Sequence, residues 1–235
     1  ILESTVPVGS TLALRDNLKK MRPDLNFDEE GEGASVMIAH CPERVLPGNV
    51  LYELQHNDRV VGGINEKSSL AASEFYKNFV KGNIYLTNSK TAELTKLTEN
   101  SFRDINIAFA NEISSICEEQ GIDVWELIDM ANKHPRVNIL QPGPGVGGHC
   151  IAVDPWFIVS SSPKNSKLIK AAREVNDGKP QKVIKKILEI ANSLGEKSSL
   201  STVPPFTDKV SENVNTNLLK VALPSVVSSN SISVN

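Results

Sequence analysis

Short apolar runs alternate with amphipathic segments along the first third of the chain. Residues 10–22 carry leucines and Met21 at helical spacing and end near Pro23, which predicts a helix. Further along, short apolar runs predict three strands, and an amphipathic segment predicts a helix before the last of them. Such alternation favours a mostly parallel sheet. The predicted strands are 35–39, 59–64 and 83–87, and the predicted helix is 66–81.

A long helical pattern follows the last of these strands. Ser89 is placed to cap its first turn, and Gly121 is placed to end it. About 31 residues at 1.5 Å each would give a helix roughly 45 Å long. One side of this helix is apolar and is formed by Leu94, Leu97, Ile105, Ala108, Phe109 and Ile116.

Three shorter helices are predicted after the long one. Asp123 and Glu126 resemble a capping box at the start of a helix that ends before Pro135. Two more helical patterns cover residues 166–177 and 180–195. The pattern as a whole is half of an α/β sheet joined by a long helix to a helical unit.

Composition narrows the classes of partner. A chain of 235 residues can hold one large domain or two modest ones, and its net charge of -3 gives no basic field for nucleic acid. Three widely spaced cysteines without a C-x-x-C pair argue against a disulfide framework and suit a cytoplasmic location. We expect no membrane partner, since no apolar run approaches the roughly 20 residues that a span needs. The histidines show no metal-ligand spacing, so we expect no metal site.

The stretch "QPGPGVGGHC" at 141–150 contains the letters G-x-G-x-x-G at Gly143, Gly145 and Gly148. A dinucleotide-binding turn should follow a strand and open a helix, with an acidic residue about 20 positions on. Here prolines interrupt the pattern, the following "HCIAVDPWF" does not indicate a helix, and position 168 is Leu. We therefore expect the glycines to let the backbone approach some other ligand closely.

Cys150 is the candidate nucleophile of this loop. A lone cysteine is usually a small buried hydrophobe, and that interpretation stays open. The glycines before Cys150, His149 beside it and Asp154 four residues later favour a reactive thiol instead. Cys117, near the end of the long amphipathic helix, has no such neighbours.

Lys96, Asn100 and Arg103 project from one stripe of the long helix. A lysine, an amide and an arginine in line suit a phosphate or an oxyanion, although a solvated helix face would show the same pattern. Arg44 in "CPERVLPG" and Arg136 in "HPRV" each lie beside a proline in a turn, where they could bind an anion, cap a helix or form a surface pair.

Together these segments resemble the UDP-glucose/GDP-mannose dehydrogenase family. The resemblance rests on "STVPVGST", "CPERVLPGN", "AELTKLTENSFRDINIAFANE" and "GPGVGGHCIAVDPWF", in that order, and covers residues 1 to about 190. It implies an α/β fold in which a partial Rossmann-like parallel sheet is joined by the long helix to an all-helical central domain. The implied domains are the later part of an NAD-binding domain at 1–88, a helical central and dimerisation domain at 89–195, and a truncated or non-native tail at 196–235.

The resemblance also implies an activity and its residues. The family oxidises the C6 alcohol of a nucleotide sugar twice, with NAD as cofactor, through a cysteine thiohemiacetal and thioester. UDP-N-acetyl-D-mannosamine is the expected substrate, with UDP-glucose or UDP-N-acetylglucosamine as alternatives, and a homodimer through the long helix is expected. Cys150, Lys96, Asn100 and Asp154 match the catalytic positions. Substrate contacts are implied for Arg44, Val45, Lys96, Asn100, Arg103, His134, Arg136 and Gly147, and cofactor contacts for Thr5 and Glu43.

The chain departs from the family pattern in three ways. The family's cofactor-binding fingerprint lies upstream of residue 1, and the glycine-rich start of its third domain is not found in the tail. Pro47 stands where some relatives have a second glutamate. An alternative expectation is therefore an inactive fragment that acts as a helical dimerisation module.

Overall fold

The computed structural model describes residues 1–27, 36–45, 48–148 and 150–193. The chain divides into two compact units, residues 1–177 and 178–235. The first unit holds a small sheet with its helices and then a group of helices, and the described part of the second unit is helical. His149, Pro47 and the tail at 196–235 lie outside the described residues, so the expectation of a truncated or non-native tail stays an expectation.

Three strands and seven helices are formed by the described residues. In chain order they are α1 (Ser10–Met21), β1 (Ala39–His40), α2 (Val50–His56), β2 (Arg59–Gly63), α3 (Glu66–Lys77), β3 (Ile84–Asn88), α4 (Ser89–Gln120), α5 (Val124–Ala131), α6 (Cys150–Ser161) and α7 (Lys167–Ser193).

The sheet has the order β1-β2-β3 and is mixed. β2 runs parallel to β3, with Arg59 opposite Ile84, whereas β1 runs antiparallel to β2. Leu2 forms a parallel bridge with His40 on the other side of β1. The α/β class is confirmed, and the predicted strands at 59–64 and 83–87 are correct within a residue. The predicted strand at 35–39 is wrong for most of its length, because β1 has only two residues and begins at Ala39.

The sheet packs on an apolar core. One cluster is centred on Val61 of β2 and Tyr76 of α3, and a second is centred on Phe27. Gly62 brings β2 against the start of α4, since a Cβ at that position would lie 2.3 Å from the Asn88 carbonyl oxygen and 2.7 Å from the Ala92 Cβ. The glycine therefore sets where the long helix leaves the sheet.

Side-chain caps hold the starts of two helices whose positions the sequence predicted. Asn65 accepts a hydrogen bond from the Ser68 N–H at the start of α3, and Asp123 accepts from two N–H groups at the start of α5. The predicted helix at 66–81 is too long, since α3 ends at Lys77. Helix α2, in a stretch of turn signals, has no counterpart among the predicted helices.

Helix α4 has 32 residues, close to the predicted length, and Gly121 ends it with a φ of 67°. The cap at its start is Asn88, which accepts a hydrogen bond from the Thr91 N–H at 2.9 Å. The prediction of Ser89 as the cap is therefore wrong by one residue, because Ser89 is already helical.

Two predictions for the chain after the glycine loop are wrong. Residues after the glycine loop form α6 despite Pro155, and the two helices predicted at 166–177 and 180–195 are one helix, α7, that continues through Pro180. An interior proline removes one hydrogen bond from a helix. In α6, packing along α4 offsets that loss. Every helix in the described part of the chain is too short or too polar to span a bilayer.

Candidate functional site

Helix α4 turns its polar side inward. Asn100 is 3% exposed and Asp104 is fully buried, whereas Phe102 and Phe109 are 68% and 50% exposed. Lys96 is half-buried and Arg103 is exposed. The stripe of Lys96, Asn100 and Arg103 is therefore not a uniformly solvated face, because its central member lies in the interior.

Asn100 and Asp154 form the buried centre of the site. The Asn100 side-chain N–H₂ donates to Asp154 Oδ2 at 2.6 Å, and Asp154 is 4% exposed. Burial raises the pKa of Asp154 above its ordinary value, while the hydrogen bond from Asn100 and the charge of Lys96 act in the opposite direction. A carboxyl group in this setting can exchange a proton with a neighbouring group or water.

Cys150 is the first residue of α6, one helical turn before Asp154, so both project from one side of that helix. It is exposed and free, whereas Cys41 and Cys117 are buried. The first turn of a helix has unpaired N–H groups and a partial positive charge, which stabilise negative charge on a sulfur or oxygen placed there. The contrast among the cysteines favours the reactive interpretation of Cys150.

The glycine loop before Cys150 leads directly into α6. The expectation that no helix follows it is therefore wrong. The dinucleotide interpretation still fails on the other side, because the described residues between α4 and the loop form helix α5 and no strand. Gly145 and Gly148 adopt φ values of 146° and 81°, a conformation that disfavours side chains. The Gly143 N–H donates to Asn111 Oδ1 on α4 at 2.9 Å.

The turn that carries Arg44 and Val45 is held against α4. Glu43 Oε1 accepts hydrogen bonds from the N–H groups of Arg44 and Val45, at 2.6 and 2.8 Å. The other oxygen of Glu43 lies 3.4 Å from Nη1 of Arg59. The Arg44 guanidinium pairs with Glu99, which precedes Asn100 on α4. Arg44 is thereby placed next to the helix that carries Lys96 and Asn100.

The remaining predicted residues are more open. Arg103 lies exposed on α4, and Gly147 is exposed in the glycine loop. His134 and Arg136 are exposed in the turn after α5, where the Arg136 N–H donates to His134 Nδ1 at 3.3 Å. Contacts within the described residues do not join these four to the Asn100–Asp154 pair.

Thr5 and Glu43 lie at one edge of the sheet. Leu2 and His40 of β1 form a parallel bridge, so the chain around Leu2 runs parallel to β1. Thr5 lies three residues after Leu2, and Glu43 lies three residues after His40. The Glu43 N–H still donates to the Glu3 carbonyl oxygen at 3.2 Å, so the segments remain side by side up to this point. Dinucleotides bind beyond the carboxyl ends of parallel strands, and the position of both residues fits such a ligand.

Two polar groups escaped the sequence predictions. Glu93 on α4 accepts hydrogen bonds from the Gly9 N–H and from both the N–H and the hydroxyl of Thr11, at the start of α1. Asp104 and Asn111 join a buried network with α7. Asp104 and Asn111 lie four and eleven positions after Asn100, a spacing that places these three residues on one side of α4. This spacing was the signal that the sequence offered.

No group of three or more His, Cys, Asp or Glu in the described ranges is arranged to hold a metal ion. The chemistry available is that of a thiol, an amide, a lysine and a carboxyl group with a raised pKa.

Residues 1–80 match the NAD binding domain of the UDP-glucose/GDP-mannose dehydrogenase family, and residues 90–178 match its central domain. The chain is 65% identical over 188 residues to a UDP-N-acetyl-D-mannosamine dehydrogenase of Escherichia coli, covering 80% of this chain and 45% of that protein. It is 59% identical over 197 residues to an NDP-N-acetyl-D-galactosaminuronic acid dehydrogenase of Ralstonia nicotianae, covering 83% and 47%.

A solved structure of a UDP-D-ManNAc dehydrogenase from Pyrococcus horikoshii is similar in fold. Its TM-score is 0.75 at 42% identity, over 84% of this chain and 46% of that one. The chain thus spans about half the length of the relatives that it matches. Both matched domains are named for one family and follow each other in the same order as the sheet and the helical group described above. The chain belongs to the UDP-glucose/GDP-mannose dehydrogenase family.

Proposed function

We propose that this chain is the NAD-binding and central part of a nucleotide-sugar 6-dehydrogenase that oxidises UDP-N-acetyl-D-mannosamine to UDP-N-acetyl-D-mannosaminuronate. The observation that carries the proposal is the buried Asn100–Asp154 pair one helical turn from the exposed Cys150. The mannosamine relatives, at 65% identity, support this sugar. The galactosaminuronic acid relative supports a second candidate, the epimeric N-acetylgalactosamine nucleotide.

NAD, when bound, would accept a hydride from C6 in each of the two oxidations. Thr5 and Glu43 would contact it at the edge of the sheet. We place the cofactor domain at 1–88 and the central domain at 89–195; the family matches at 1–80 and 90–178 support that boundary. The tail at 196–235 has no support of this kind.

The residues of the site divide the remaining work. The Cys150 sulfur adds to the C6 aldehyde carbon and forms a thiohemiacetal, whose oxidation gives a thioester. Lys96 and Asn100 stabilise the negative charge that develops on the C6 oxygen. Asp154 accepts a proton that a reacting group releases and later returns it, because its raised pKa suits exchange with a bound group. Water then releases the carboxylate and restores the thiol.

The nucleotide sugar would lie between the glycine loop and the polar side of α4. Arg44 and Val45 contact it from the turn beside Glu99, Arg103 from α4 and Gly147 from the loop. His134 and Arg136 are open to solvent after α5, in a position to meet phosphate. We further propose a homodimer through the exposed apolar residues of α4, namely Leu94, Phe102, Phe109 and Ile116.

The test is Cys150→Ser in the complete enzyme. We expect acid formation to fall by at least about 1,000-fold, because serine is a poorer nucleophile and forms no thioester. Initial rates of NADH production with UDP-N-acetyl-D-mannosamine, its galactosamine epimer and UDP-glucose measure activity and identify the sugar. Near-normal acid production by the variant would contradict the role of Cys150.

A dimerisation module without catalysis is the second candidate function, favoured by the exposed phenylalanines of α4. Light scattering and the same NADH assay on this chain separate the two. A dimer that produces no NADH from these sugars would favour the module.

A further inference from the structure

Between its two prolines, the glycine loop has one backbone hydrogen-bond donor. Pro142 and Pro144 have no N–H group, so Gly143 is the only residue from 142 to 144 that can donate a backbone hydrogen bond. That N–H donates to Asn111 Oδ1 at 2.9 Å. Gly145 and Gly147 donate none to the described residues. Gly143 therefore ties the described part of the loop to α4 through the Asn111 side-chain oxygen.

A second asparagine holds the chain just before the loop. Asn132, at the end of α5, accepts from the Ile139 N–H at 2.7 Å and donates to the Ile139 carbonyl oxygen at 3.0 Å. The two attachment points, Ile139 and Gly143, lie four positions apart in the chain. The loop therefore leaves α5 from one fixed residue and passes α4 at another.

The Asn111 amide has a defined orientation because of a buried chain of donors and acceptors. Its N–H₂ donates to Asn176 Oδ1 at 3.0 Å, and the Asn176 N–H₂ donates to the Asp104 carboxylate at 2.8 Å. A carboxylate accepts only, so Asn176 must present its N–H₂ to Asp104 and its oxygen to Asn111. Asn111 must then present its own oxygen to Gly143. All three polar side chains are more than nine-tenths buried.

The Asp104 carboxylate is itself fixed by a charged partner. Arg173 Nη1 lies 2.6 Å from Asp104 Oδ1, with both side chains buried, and the same guanidinium also pairs with Asp177. A buried carboxylate without a partner would be costly, and the arginine offsets part of that cost.

We propose that Asn111 is a positioning residue that fixes the glycine loop through Gly143, with its amide orientation set by Asn176 and Asp104. The proposal rests on the proposed function for what the loop holds, namely the nucleotide sugar beside Cys150. Asn111 itself contacts no reacting atom; it acts through the loop.

Amide hydrogen exchange on the full chain tests the positioning directly. In the parent protein, Gly143 should exchange at least about 100-fold more slowly than Gly145 and Gly147, because its N–H opens only with α4. Asn111→Ala should make Gly143 exchange at least about 10-fold faster and leave Ile139 unchanged. The matched control, Asn132→Ala, should release Ile139 and leave Gly143 protected.

Two results overturn the positioning role. One is equal, rapid exchange of all three glycines in the parent protein, which is measurable even if Asn111→Ala does not fold. The other is a folded Asn111→Ala protein in which Gly143 remains protected.

Calorimetric titration separates this inference from the proposed function. In the complete enzyme, we expect Asn111→Ala to weaken binding of UDP-N-acetyl-D-mannosamine about 10-fold and to leave NAD binding unchanged, which a general loss of structure would not do. If Gly143 is released and sugar binding does not change, Asn111 still positions the loop, and the loop's place in the proposed function fails.

Discussion

Strand β2 and its neighbours enclose an apolar cluster, whereas helix α4 buries, beside its apolar residues, several polar side chains that hydrogen-bond to other helices. Val61 and Tyr76 lie at the centre of the sheet's core. On α4, Asn100, Asp104 and Asn111 face inward, while Phe102 and Phe109 face outward. An apolar core requires only that shapes fit, but a buried polar group requires a partner at a defined angle. The sheet thus supplies a scaffold, and the helix fixes the directions of the groups proposed for the chemistry.

The largest expected effect comes from breaking the buried ion pair between α4 and α7. Asp104→Ala removes the buried partner of the Arg173 guanidinium and leaves it only the half-exposed Asp177, and we expect a loss of about 3–5 kcal/mol in unfolding free energy. Val61→Ala in the sheet should cost about 2 kcal/mol, as a cavity in an apolar core. Urea denaturation of both variants measures the two losses.

The double variant Asp104→Ala/Arg173→Met serves as the control for this pair. It removes both charges and should recover much of the loss. Equal losses for Asp104→Ala and Val61→Ala would show that the two regions do not differ in the way described.

The next effect concerns the outer side of α4. The double change Phe102→Glu/Phe109→Glu puts like charges among the exposed apolar residues of α4, and we expect the proposed dimer to dissociate at least about 100-fold more readily, equivalent to about 2.7 kcal/mol. Light scattering over a dilution series measures it. Leu70→Glu, which alters an exposed leucine of α3, should leave the dimer intact. A dimer that tolerates both phenylalanine changes would place its interface elsewhere.

A smaller effect concerns how the buried Asp154 carboxyl group changes the stability of the fold. Because burial raises the pKa of Asp154, the folded protein binds more protons than the unfolded chain between the ordinary carboxyl value and the raised one. Stability therefore falls as the pH rises through that window and stays lower at neutral pH. Asp154→Asn keeps an acceptor for Asn100 and removes the ionisable group.

We expect Asp154→Asn to raise the melting temperature at pH 7 by roughly 2–4 °C, and this gain to disappear below a pH of about 4, where both forms are neutral. Thermal melts across pH measure the difference. A variant that melts lower than the parent at pH 7 would show that Asn100 and Lys96 outweigh the burial of the carboxylate.

Sequence patterns predicted the elements whose signals are local. Asp123 and Gly121 mark helix ends by their own chemistry, and the spacing of Lys96, Asn100 and Arg103 placed them on one stripe. The sequence pattern missed that α6 and α7 continue through Pro155 and Pro180, where an interior proline removes only one hydrogen bond from the helix. Local signals mark the positions at which a helix can end. They do not show at which of these positions the helix continues in the folded chain.

The arrangement of the site residues in space was harder to predict than their positions in the sequence. Periodicity cannot tell which side of a helix is buried when both sides mix polar and apolar residues, as α4 does. The pairing of Asn100 with Asp154, across 54 positions, depends on how α4 and α6 pack. The network of Asp104, Asn111 and Asn176 depends on α7, which the sequence pattern predicted as two separate helices.

The distribution of the three thiols has a practical consequence. Cys41 and Cys117 are buried, and Cys150 is exposed at the start of α6. Without any mutation, the folded chain therefore offers a maleimide-linked fluorophore or spin label one attachment point, next to the glycine loop. Spectroscopy on the natural sequence can follow that loop while a ligand is added, and the two sheltered thiols become available to the reagent only when the fold opens.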